Sequence, residues 1–144
     1  MCNSAYKIAD CPSIHADAKI TRWFTNFCIK YFADNFDVPV VKIYLIGSRV
    51  TGVSSKGGLI RPNSDYDFYV VVSDVASKEA ATGSALWQTF LDAVRNARTQ
   101  VNIQRTIEVL ISRECNFKQS SSDAISHAAM ASREGFVIAE RRMP

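Results

Sequence analysis

Apolar residues recur at helical spacing between positions 16 and 35. Ile20, Trp23, Phe24, Phe27, Cys28, Tyr31 and Phe32 fall at i, i+3, i+4, i+7, i+8 and onward, which predicts a helix with one wide apolar face. The run VPVVKIYLIG (38–47) then reads as a strand ending at a glycine. Residues 48–64 are rich in Ser, Gly and Lys and predict a short helical turn followed by a loop. DYDFYVVV (65–72) opens a second strand.

Ser77 is positioned to cap a long helix through residue 98, with Leu86, Phe90, Leu91 and Val94 on one side. NIQRTIEVLIS (102–112) predicts a third strand, and SSSDAISHAAMASRE (120–134) a last helix that Gly135 ends. FVIAE (136–140) is a short extended piece. The order α-β-β-α-β-α, without internal repeat or linker, predicts one α/β (α+β) domain over residues 1–144.

Strand alternation sorts the chemistry. Asp65, Asp67 and Tyr69 share one face of the second strand, while Tyr66, Phe68, Val70 and Val72 share the other, which suits a core. In the third strand Ile107, Val109 and Ile111 are apolar, and Glu108 points away from them with Thr106 and Leu110. If the two strands are neighbours, Asp65, Asp67 and Glu108 converge. Three such carboxylates repel and are costly to desolvate, and a hard dication with oxygen ligands relieves both costs. Nine Asp in 144 residues make a single Asp-x-Asp an ordinary coincidence, so its context carries the argument. That context is a strand ending in Gly47-Ser48, a Gly- and Ser-containing loop, and Ser64-Asp65-Tyr66-Asp67 at the head of a strong β run. Gly47 allows a sharp turn whose amides can approach a ligand, and Ser48 can offer its hydroxyl and amide to phosphate oxygens.

Composition changes this picture little. The chain is 47% hydrophobic and 22% charged, which excludes disordered and low-complexity classes. No apolar stretch approaches the roughly 20 residues of a membrane span, and MCNSAYKIADCPSIHAD is not a secretory signal, so a protein without membrane attachment is expected. Cys2, Cys11, Cys28 and Cys115 lack metal-site spacing and read as reduced thiols of a cytoplasmic protein, with Cys28 buried. His15 and His127 stand alone, which gives no zinc pattern. A net charge of +3 is compatible with polyphosphate or RNA ligands.

Taken together, Gly47-Ser48, Ser64-Asp65-Tyr66-Asp67 and Glu108 resemble the signature of the DNA polymerase β-like nucleotidyltransferase superfamily, in the size range of its minimal members. The resemblance covers roughly residues 38–112, and SREGFVIAE (132–140) is loosely similar to the glycine-containing tail of minimal members. It implies a small mixed β-sheet flanked by helices. It also implies magnesium-dependent transfer of a nucleoside monophosphate, AMP from ATP foremost, from an NTP to a hydroxyl. By the same resemblance Gly47, Ser48, Arg49 and Ser64 would bind the nucleotide, and Asp65 and Asp67 would hold two magnesium ions. Glu108 would complete the metal site or act as base. Implied acceptors are a partner protein such as a HEPN-type toxin in a toxin–antitoxin pair, an RNA 3′ end or a small-molecule hydroxyl. A catalytically weak, partner-binding antitoxin-like module is the alternative reading. Two departures stand out: the 49–63 loop is longer than in compact members, and the third acid is Glu rather than Asp. Lys56 and Arg61 in that loop, like Arg49, are candidates to neutralise a triphosphate.

Overall fold

A computed structural model describes residues 5–9, 16–52, 58–59, 64–76, 82–120 and 126–142. The elements in chain order are β1 (Tyr6–Ile8), α1 (Ala18–Phe36), β2 (Val40–Ile46), α2 (Ser48–Thr51), β3 (Tyr66–Val72), α3 (Ala85–Gln100), β4 (Ile107–Arg113), α4 (Glu114–Ser120), α5 (His127–Glu134) and β5 (Phe136–Arg141). Five strands form one sheet in the order β1-β5-β2-β3-β4, a mixed α/β architecture as the sequence predicts. Among the described strands only β3 and β4 pair in parallel, joined through α3 as a parallel connection requires. The other pairings are antiparallel.

Helix α1 starts where Asp17 accepts a hydrogen bond from the Lys19 amide (2.8 Å) and ends where Asp37 takes a left-handed conformation. Its apolar stripe lies on one face of the sheet. Phe24 stacks on Phe68 with ring centroids 3.9 Å apart, and Phe90 of α3 closes the same cluster with Phe24 and Phe32. Tyr66, Phe68, Val70 and Val72 all face this cluster, as alternation requires. The opposite face is covered by α4 and α5. There Tyr44, Ile46, Tyr69 and Val71 pack with Ala128 and Ala131, and Phe117 rests on Tyr44 and Tyr69. Among the described residues no helix is long and apolar enough to cross a membrane.

Several elements differ from the sequence expectation. The long helix begins at Ala85, with Ser84 rather than Ser77 as its cap; the Ser84 hydroxyl accepts from the Trp87 amide (3.1 Å). Thr82 is unavailable for helix because it serves the outer edge of β4, and Gly83 has a left-handed φ of 92°. Thr82 N–H donates to Ile111 O (3.0 Å), and its hydroxyl accepts from Ile111 N–H (2.8 Å). The Trp87 indole N–H donates to Val109 O on the same edge (2.7 Å). Strand β4 starts at Ile107 rather than residue 102. Asn102 turns left-handed after α3, and Arg98 ties down the carbonyls of Ile103 and Arg105. The expected last helix (120–134) holds α5 at His127–Glu134, and α4 at Glu114–Ser120 runs up to the start of that range as a helix the sequence pattern does not predict. The extended piece at 136–140 is β5, an inner strand between β1 and β2.

Candidate active site

Asp67 meets the Gly-Ser turn because β2 ends, and β3 and β4 begin, at one end of the sheet. Ile46, the last residue of β2, is paired with Asp67, and Asp67 is paired in parallel register with Glu108. Register partners on adjacent strands share a face at about 4.8 Å strand spacing, so Asp67 and Glu108 stand side by side. Asp65 precedes β3 and is exposed; two residues before Asp67, it falls on the same side by alternation. Asp67 is half-buried and Glu108 exposed.

Gly47 is required at this end for two reasons. Its φ of 76° lies where a side chain is strained, and a Cβ built there would come within 2.8 Å of Asp67 Oδ2. The turn therefore presses bare backbone against the Asp67 carboxylate. Ser48 follows, half-buried, as the first residue of α2, whose single turn closes with Gly52 N–H donating to Ser48 O (2.7 Å).

Arg49 points elsewhere. It is 7% exposed, its guanidinium lies 4.3 Å from the centroid of the Tyr66 ring, and Nη2 donates to Ser64 O at 2.7 Å. Tyr66 belongs to the core face, so these contacts lie on the side of the sheet opposite Asp67. Ser64 is half-buried, and its backbone carbonyl accepts from Arg49 on that side. Lys56 and Arg61 lie outside the described residues, as do Cys2, Cys11, His15, Ser77 and most of the 49–63 loop.

Tyr69 shares the Asp67 face but is buried, with its hydroxyl 3.0 Å from Ser112 Oγ and its ring edge-on to Phe117. Burial raises its pKa, opposed by the Ser112 hydrogen bond. It belongs to the cluster under α4 and α5. Cys28 is buried, and desolvation pushes its thiol far up, while Cys115 is exposed. Asp74 ends its turn by accepting from the Cys115 amide (2.8 Å), which lowers its pKa.

Among the described residues no three His, Cys, Asp or Glu side chains are gathered closely enough to grip an ion as they stand. The donor set nonetheless fits a hard dication. It offers carboxylate oxygens alone, one of them held against a turn that leaves no space for a Cβ, which is the donor chemistry magnesium takes. Tyr66 is the site residue that sequence reasoning passed over. Alternation turned it inward, and the available signal was that a buried tyrosine hydroxyl needs a partner. That partner is the Asp17 amide, which donates to it at 2.8 Å. Compared with known proteins, the chain matches no family model, no curated protein and no solved structure.

Proposed function

We propose that the protein is a magnesium-dependent nucleotidyltransferase of the DNA polymerase β-like kind, moving a nucleoside monophosphate from an NTP, ATP foremost, to a hydroxyl. One observation carries this reading: the strained Gly47 turn is packed on the Asp67 carboxylate, and Glu108 stands in register beside it. A solvated pair of surface acids would not require a glycine at that point.

In this reading the bare Gly47 backbone lets the amides and the Ser48 hydroxyl approach the phosphates of the donor. Asp65 and Asp67 would hold magnesium, which when bound supplies neutralisation of the phosphate charge. Glu108, exposed and adjacent, takes the proton of the acceptor hydroxyl. The acceptor oxygen bonds to the α-phosphorus as the bond to the bridging oxygen breaks, and pyrophosphate leaves. The acceptor we favour is a hydroxyl of a partner protein, one of the acceptors that the resemblance implies.

The test incubates the purified protein with magnesium and each α-phosphate-labelled NTP, alone and with cell extract, beside an Asp65→Ala, Asp67→Ala double variant. Label on a discrete protein or RNA band with the wild type alone is the expected result. Equal labelling by the double variant sinks the assignment. With no label on any band, magnesium and ATP should still raise the melting temperature of the wild type; no rise favours the partner-binding module.

A further inference from the structure

The turn after β2 holds the head of β3 from both faces of the sheet. Gly47 packs on Asp67 on one face, and Arg49, two residues on, engages Tyr66 and Ser64 on the other. The residue between the two aspartates is fixed at every polar group it carries in reach of this end. Tyr66 N–H donates to Thr106 O (2.9 Å), its hydroxyl accepts from Asp17 N–H (2.8 Å), and its ring lies under the guanidinium. Tyr66 is 1% exposed and Arg49 7%, so the ring and the guanidinium over it are buried together.

A one-residue slip at the start of a strand would carry both carboxylates to the wrong face. Paired carboxylates also repel, and an unsupported chain start would splay to separate them. We infer that Arg49 is a positioning residue: its guanidinium clamps Ser64 and Tyr66, the residues on either side of Asp65, and so aims Asp65 and Asp67 before any ligand arrives. This rests on the nucleotidyltransferase reading and changes one part of it, because Arg49 then acts through the strand and not on the triphosphate. Arginine suits the task because a planar guanidinium can stack on a ring and direct a donor in its plane to a carbonyl, whereas a lysine ammonium cannot do both.

The experiment needs no acceptor. Binding of Mn²⁺ alone is measured by the electron paramagnetic resonance of the free ion, and binding of magnesium-ATP by calorimetry. The proteins are the wild type, Arg49→Lys, Arg49→Met and the Asp65→Ala, Asp67→Ala double variant. Metal-free amide exchange at Tyr66 and Asp67 is followed in the same samples. Supporting residues of a metal site typically change affinity about 10–100-fold, so both Arg49 variants should weaken Mn²⁺ binding at least about tenfold. Exchange at Tyr66 should speed up, while a cooperative melt is retained. Unchanged Mn²⁺ affinity in both variants overturns the inference. So does weaker ATP binding with Mn²⁺ affinity intact, which would make Arg49 a phosphate ligand. If Arg49→Met does not fold, Arg49→Lys decides, since it keeps the charge and the aliphatic stem; loss of folding in both would assign Arg49 to the fold and overturn a positioning role. Wild-type Mn²⁺ affinity in the double variant would instead remove the carboxylate site itself, a failure of the underlying reading that the Arg49 results alone would not produce.

Discussion

On the face that receives α1 and α3, the sheet is packed by aromatic rings. Phe24, Phe32, Phe68 and Phe90 are fully buried, and Tyr66 is sealed beneath Arg49. On the face that receives α4 and α5, cover by the described residues is thinner. A half-buried Phe117 and two alanines of α5 lie over Tyr44 and Tyr69, and the end bearing Asp67 and Glu108 is left accessible. The dense face gives rigidity, and the thin face gives access. The same strand β3 serves both, because alternate residues report to opposite sides.

That contrast can be broken at its chemical end first. Replacing Asp65 and Asp67 together by alanine should cut nucleotide transfer by at least about 100-fold while the melting temperature moves little, since neither is a core residue. Full transfer by the double variant would mean that the thin face is not the reactive one. Breaking the dense face instead, Phe24→Ala should cost about 3–5 kcal/mol in denaturant unfolding, because a fully buried ring stacked on Phe68 is lost.

Gly47→Ala tests the junction between the faces. Left-handed strain of about 1–2 kcal/mol should lower stability, and the new Cβ displaces the Asp67 carboxylate, so transfer should fall by about tenfold. A stable, fully active Gly47→Ala would show that the turn has slack. Phe117→Ala should cost only about 1 kcal/mol, as a half-buried ring on the thin face. A loss as large as that of Phe24→Ala would erase the distinction between the faces. The smallest effect is alkaline. Burial raises the pKa of Tyr69 and of Tyr6 above the ordinary 10.0. The unfolded chain therefore releases these protons first. Their contribution to stability is full below pH 10 and is lost as pH rises beyond it through the folded values. Absorbance titration should find these two tyrosines ionising late; ordinary titration of both would contradict their burial.

The facing of β3 was legible in the sequence because alternation is a local property, and the α1 stripe was legible for the same reason. Gly47 could be read as a sharp turn before its φ of 76° was known. What escaped depends on distant partners. Strand β1 is three residues long and is defined by pairing with β5, more than 120 positions away. Helix α4 has Phe117 as its apolar anchor, too little for a periodic signal. The start of β4 was hidden by Arg98 and Asn102, whose tie-down of the chain no hydrophobic pattern announces. Arg49 read as a candidate to neutralise phosphate because a charged residue next to a Gly-Ser turn invites that role. Its burial depends on a ring that arrives 17 positions later in the chain. The pairing of Asp67 with Glu108 was conditional on β3 and β4 being neighbours, and the parallel register supplies that condition.

The outer rim of β4 also bears on how the protein behaves among its own copies. Thr82 and the Trp87 indole already occupy the Ile111 amide, the Ile111 carbonyl and the Val109 carbonyl. A strand arriving from a second molecule would have to evict a threonine and an indole before it could pair there. The strand that presents Glu108 is thereby kept from recruitment into a larger sheet, and its acid stays in solvent at concentrations where a bare edge would begin to stick.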